Sequence, residues 1–185
     1  MAWADYNRDG HLDAFITRGG VSGKIGRYKG VVQDQLQLGE GSTFHNGSAG
    51  SGIRKGTCRG RAAAAVDYNR EGLLDIFAAC FKGGPKLYRQ RAKGTFEGVS
   101  GPLRKSRMEG TAFAWVDVNG RRGQELLSAR KRGFAVYRRR KARWRRAQTI
   151  HGRHDGLVQT LAIADYDNDG TQTCTPPRGP AARCS

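Results

Sequence analysis

Apolar and acidic positions follow one another along this chain in a pattern that recurs four times. A short apolar stretch runs into an acidic knot, and a second apolar stretch leaves it. The entering stretches are Met1-Ala2-Trp3-Ala4, Ala62 to Val66, Ala112 to Val116 and Leu161 to Ala164. The first three knots are followed by Leu12 to Ile16, Leu73 to Phe81 and Leu126 to Ala129. Further on come aromatic pairs of runs: Leu87-Tyr88-Arg89 then Gly94-Thr95-Phe96, and Val136-Tyr137-Arg138 then Arg143-Trp144-Arg145. Short β-prone runs separated by Gly-rich turns predict strands and an all-β repeat rather than helices.

The knots read DYNRDGHLD from Asp5, DYNREGLLD from Asp67, DVNGRRGQE from Asp117 and DYDNDGTQT from Asp165, with starts 62, 50 and 48 residues apart. Internal periods near 50 residues mark a repeat architecture. Oxygen-bearing side chains fall at positions 1, 3, 5 and 9 of the first two knots, with Gly at position 6. Calcium takes six to eight hard oxygen ligands, and alternate residues of a tight loop supply them, helped by a backbone carbonyl at position 7. The candidates are Asp5, Asn7, Asp9, the carbonyl of His11 and Asp13 in loop 1. In loop 2 they are Asp67, Asn69, Glu71, the carbonyl of Leu73 and Asp75; in loop 4, Asp165, Asp167 and Asp169. An EF-hand needs a Glu at position 12 between two helices. Ile16, Ala78 and Ser128 stand there, so the loops are expected to join strands.

The succession of apolar strand, DxNxDGxxD, apolar strand, Gly-Gly, an LYR strand and a GTF strand resembles the FG-GAP/VCBS repeat, the blade of integrin-α-like β-propellers. The stretch from Gly60 to Val99 matches almost throughout. The chain is also similar to the cartilage acidic protein and ASPIC/UnbV-type subgroup. The resemblance covers roughly residues 1–170. It implies four-stranded blades around an axis, Ca2+ in loops on one face, and an extracellular or cell-surface scaffold that binds protein or glycan. Blades are expected at about 1–56, 57–106 and 107–156, with a partial fourth at 157–170 and an irregular tail at 171–185. Three blades and the start of a fourth make a partial propeller, so the remaining blades are expected elsewhere in a longer protein.

Two loops depart from the pattern. Loop 3 keeps Asp117, Asn119 and Glu125 but places Arg121 at position 5. A guanidinium there repels a divalent ion, so weak or no calcium binding is expected; the loop reads as a decayed one kept for its turn, with Arg121 neutralising Asp117 and Glu125 as the alternative. Loop 4 has Thr173 at position 9, and the prolines at 176 and 177 argue against a following strand. In the first repeat, residues of about 19–56 read as a long Gly/Ser-rich irregular insertion.

Composition alters this picture in one respect. Lys and Arg number 33 against 16 Asp and Glu, a net charge of +17, which suits an anionic partner. The densest run is Arg138, Arg139, Arg140, Lys141, Arg143, Trp144, Arg145 and Arg146. It is a candidate polyanion patch with Trp144 as a stacking platform. On the repeat it is equally a strand hairpin in which Trp144 takes the place of Phe96. No apolar run approaches the roughly 20 residues of a membrane span. The phosphate-loop likeness of 19–25 lacks its Ser or Thr, and the histidines show no zinc spacing. No catalytic motif is present, so a non-enzyme is expected. The alternatives are a basic polyanion or nucleic-acid binder, or a non-catalytic part of a larger propeller enzyme such as a polysaccharide lyase. Of the four cysteines, Cys80 lies in an apolar run and is expected as a buried thiol, while a bond to Cys58 stays open.

Overall fold

The computed structural model describes residues 1–18, 33–53, 59–81, 84–101, 103, 112–118, 123–130, 133–141, 143–151, 160–165, 168, 173–175 and 182–183. The chain forms two compact units, Met1–Arg107 and Met108–Ser185.

Unit 1 holds two four-stranded antiparallel sheets. Sheet 1 is β1 (Ala2–Ala4), β2 (Asp13–Ile16), β3 (Gln35–Glu40) and β4 (Thr43–Asn46). Sheet 2 is β5 (Arg59–Val66), β6 (Asp75–Phe81), β7 (Lys86–Ala92) and β8 (Thr95–Gly98). In both, the strands pair in chain order, and the acidic knot links the first two. The registers correspond: Ala4 opposes Asp13 in sheet 1, and Val66 opposes Asp75 in sheet 2. Gly39 opposes Phe44, and Gln90 opposes Phe96.

Side chains alternate between the two faces of a strand. One face of sheet 1 carries Ala2, Ala4, Phe15 and Leu36. These are buried in one cluster with Ile76, Ala78, Tyr88 and Phe96 of sheet 2, against which Ala63 and Ala65 also pack. The Tyr6 and Phe96 rings meet edge to face at 5.8 Å. Backbone bonds stitch the seam: Gly94 N–H to the Tyr6 carbonyl (3.1 Å), Phe96 N–H to Ser51 (2.7 Å) and Gly60 N–H to Arg18 (3.0 Å). The Lys86 ammonium lies 2.6 Å from the nearly buried Asp34 carboxylate, which also accepts the Thr17 hydroxyl and the Arg18 N–H. Removing one partner of so buried a pair strands the other charge, which is costly.

Unit 2 holds a third four-stranded antiparallel sheet and a smaller one. Sheet 3 is β9 (Phe113–Val116), β10 (Glu125–Arg130), β11 (Gly133–Arg140) and β12 (Arg143–His151). Sheet 4 is β13 (Ala162–Ala164), β14 (Thr173–Thr175) and β15 (Ala182–Arg183). Val116, Val118, Leu127, Phe134 and Val136 form the core of this unit, with Ala114, Ile150, Leu161 and Ile163 packed against it.

The all-β expectation holds, and two details differ from it. The segment expected as an irregular insertion contains β3 and β4. Gln35-Leu36-Gln37-Leu38 alternates as a half-buried strand, and Ser42-Thr43-Phe44 takes the place of the later Gly-Thr-Phe run. The tail expected to be irregular contains β14 and β15, paired with β13 and with each other. Thr173 and Thr175 favour extended backbone, and the prolines come only after the strand ends.

Glycine is required at one seam position. Gly52 has φ +80°, and a Cβ there would overlap the carbonyl oxygen of Phe96. Gly10 has φ +89°, and among the described residues nothing lies within 4 Å of a Cβ placed there. Gly10→Ala is therefore expected to cost the backbone penalty alone, about 1–2 kcal/mol. Gly52→Ala adds a steric clash of about 1–3 kcal/mol. Urea denaturation of the two variants checks this order.

Candidate functional site

Loops 1 and 2 fold alike. In loop 1 the Asp5 carboxylate accepts the N–H of Asp9 (3.1 Å) and of Gly10 (3.0 Å). In loop 2 Asp67 accepts those of Glu71 (3.1 Å) and Gly72 (2.8 Å). At position 3 the carbonyl oxygens of Asn7 and Asn69 each accept the amide at position 5. Position 4 is left-handed in three loops: Arg8 at φ 57°, Arg70 at 62° and Asn168 at 54°. Position 6, Gly10 and Gly72, also has positive φ. Arginine seldom adopts this conformation, so the loop is held by its side-chain acceptors against a local preference.

Position 9 has a distinct role. Asp13 and Asp75 are fully buried. One oxygen of each accepts the N–H at position 2: Tyr6 at 2.8 Å and Tyr68 at 3.3 Å. The other accepts an N–H of the third strand: Gly39 at 2.9 Å and Gln90 at 2.8 Å. Glu125 repeats the first contact with Val118 N–H at 3.0 Å, and its other oxygen lies 3.5 Å from Arg138 Nε. The sequence pattern marked these acids only as ligands. Strand alternation from Phe15, Phe77 and Leu127 would have placed them facing inward.

Position 5 separates the two loops. Asp9 is exposed and accepts Asn7 Nδ2 (2.7 Å) and the His11 N–H (2.8 Å). The His11 amide and then Asn7 hold its carboxyl below the usual aspartate range. Glu71 instead forms a two-point ion pair with Arg89 of β7. The loops also touch, because the Arg8 guanidinium donates to the Gly72 carbonyl.

The donor set of loop 1 is all hard oxygen and fits calcium chemically. In loop 2, Arg89 already balances Glu71. Among the described residues no group of three or more His, Cys, Asp or Glu side chains converges on one point. The carboxylates are turned onto their own loop amides, and Asn7 and the His11 carbonyl are of other donor types. Arg121, and with it the alternative of its pairing with Asp117 and Glu125, lies outside the described residues, as do Asn119, Asp167 and Asp169. Asp165 and Asn168 are described, but the rest of loop 4 is not.

The basic run divides. Arg138 faces Glu125, while Arg139, Arg140, Lys141, Arg143, Arg145 and Arg146 are exposed. Trp144 does not present its ring to solvent as the stacking reading requires. It is 6% exposed, it meets Trp115 edge to face at 5.5 Å, and its register opposite Arg139 is that of Phe96 opposite Gln90. Cys80 is disulfide-bonded, not the thiol its apolar surroundings suggested. No helix among the described residues is long and apolar enough to cross a membrane. The chain matches no family model and no curated protein.

Tyr6 links loop 1 to the core. Its hydroxyl is buried and finds no hydrogen-bond partner among the described residues. Burial, and then the Asp13 charge, raise its pKa well above the ordinary 10.0. The folded protein keeps the phenol neutral while the unfolded chain ionises near pH 10. The stability it contributes is therefore complete below about pH 10 and is lost as pH climbs beyond it. Tyr6→Phe is expected to remove that alkaline loss and to add about 1 kcal/mol at neutral pH. Asp13→Ala strands two buried amides and is expected to cost on the order of 2–4 kcal/mol. Urea midpoints at neutral and alkaline pH measure both effects.

Proposed function

We propose that this chain is part of a calcium-stabilised β-propeller-type scaffold, extracellular or at the cell surface, that presents loops to a protein or glycan and carries no catalysis. The observation that carries this reading is the loop conformation. Loops 1, 2 and 4 hold a non-glycine residue in the left-handed region at the same position, a local strain of the kind found at functional sites. In loop 1, Asp5, Asn7, Asp9, the His11 carbonyl and Asp13 would hold calcium; in loop 2, their counterparts Asp67, Asn69, Glu71, the Leu73 carbonyl and Asp75. The ion supplies positive charge to a cluster of carboxylates. Loop 1 depends on it more, since Arg89 already supplies that charge beside Glu71. The disulfide at Cys80 supports an oxidising compartment.

A second reading has an observation of its own. The register sets Arg138 opposite Arg145 and Arg140 opposite Arg143. Like charges directly opposite on a sheet destabilise it, and an anionic polymer would relieve that repulsion.

Thermal melts by circular dichroism in millimolar calcium and in EDTA test the first reading. Two sites filled at 100-fold excess over Kd each add about 2.7 kcal/mol. At roughly 2–4 °C per kcal/mol, each raises the midpoint by about 5–10 °C. Asp5→Ala is expected to remove a larger part of that increment than Asp67→Ala. Identical melts in both buffers would sink the calcium reading. Heparin or nucleic-acid binding that survives EDTA, falls steeply with salt and is lost when Arg140, Arg143 and Arg145 are neutralised would favour the second.

A further inference from the structure

Two lines of hydrogen bonds join loops 1 and 2, both within unit 1. The buried line runs between the anchoring acids. Asp13 accepts the Tyr6 N–H at 2.8 Å. The Tyr6 carbonyl accepts the side-chain amide of Gln90 and the N–H of Gly94. The Gln90 N–H donates to Asp75 at 2.8 Å. Asp13 and Asp75 are thus connected through one residue of loop 1 and one residue of β7. The exposed line runs between the loop tips. Arg8 donates to the Gly72 carbonyl, and the Gly72 N–H donates to Asp67.

The sheet itself does not require the Gln90 side chain. Anchoring of the third strand uses the backbone N–H, and Gly39 does the same for Asp13 with no side chain at all. Gly39, Gln90 and Arg139 share one register, opposite Phe44, Phe96 and Trp144. Three unlike residues therefore fill this position. Gln90 is 2% exposed, and a buried carboxamide is tolerated where its hydrogen bonds are made. Here its amide reaches across the seam to the neighbouring loop.

We infer that Gln90, assisted by Arg8, couples the two loops so that calcium held in either one raises the affinity of the other, an inference that rests on the calcium reading of both loops. An ion that fixes Asp75 fixes the strand carrying Gln90. Gln90 then holds the Tyr6 carbonyl, next to the Tyr6 N–H that Asp13 accepts. Ordering one loop removes part of the ordering cost of the other, which is positive coupling. Linkage makes the effect equal in both directions. Gln90 lies outside both donor sets and acts as a positioning residue.

Calcium titration calorimetry and amide hydrogen exchange test this on the full chain. Asp67→Ala disables loop 2, and Asp5→Ala disables loop 1. Each is expected to weaken the remaining loop by about 5-fold or more, and by the same factor. In EDTA, Asp67→Ala is also expected to speed exchange of the Asp9 and Gly10 amides. Both effects are expected to shrink in Arg8→Met, which changes an exposed side chain, and to vanish when Gln90→Met or Gln90→Leu is added. Either replacement keeps the N–H that anchors Asp75 and loses the side-chain donor, so one folded variant suffices. Sheet 3 amides that exchange as in the wild type show that the change is local. Two ions bound independently, with Asp9 and Gly10 unmoved by Asp67→Ala, overturn the inference and leave the calcium reading standing. Coupling that persists without both donors overturns it as well. A wild-type chain that takes up no calcium removes the calcium reading and the inference together.

Discussion

The buried carboxylate at the end of each strand-linking loop is the constraint on which this architecture rests. Asp13 and Asp75 each take one amide from the loop start and one from the third strand. One side chain thereby fixes three segments of a sheet: the entry of the first strand into the loop, the start of the second strand, and the position of the third. A buried ionised group is tolerated only when its hydrogen bonds are made, and here both oxygens are engaged by the backbone. Glu125 meets the same demand with one more methylene and a guanidinium, so sheet 3 keeps the arrangement with different chemistry.

The loops are built outward from this anchor. The position 1 carboxylates fold the backbone onto themselves, and the left-handed residue at position 4 turns the chain so that position 5 projects outward. The fifth side chain then decides the electrostatics. The third strand of sheet 1 carries Leu38 where that of sheet 2 carries Arg89, and Asp9 remains open to solvent. Glu71 reaches Arg89 and is neutralised. Two loops of near-identical sequence thus differ in their charge balance through one methylene and one arginine.

Much of this was legible in the sequence. Alternation and recurrence gave the strands and the link between first and second, because period-two patterning and loop acids are local signals; their grouping in fours came only with the resemblance. The third and fourth strands of sheet 1 were obscured because the Gly/Ser-rich stretch before them has no pattern and drew Gln35–Asn46 into itself. The double duty of Asp13 and Asp75 was hidden for another reason. A ligand pattern and an anchoring pattern ask for the same residue type at the same place. Cys80 misled because an apolar run suits a thiol and half of a disulfide equally. Trp144 was legible once its place in the repeat was weighed against its basic neighbours.

The anchoring acid is the last residue of the loop and the first of a strand, and this fixes the loop's length. Adding or removing one residue between Asp5 and Asp13 would turn β2 by half a pleat, sending Phe15 outward and Ala14 into the seam. The loop can therefore vary in composition but not in count. The third loop fits this rule: it has exchanged position 5 for arginine while keeping nine residues and an acid at the ninth. Insertions in such a molecule belong on the far side of the sheets, between the second and third strands, where 14 more residues stand in the first repeat than in the second on the strand bounds Ile16–Gln35 and Phe81–Lys86 (18 against 4).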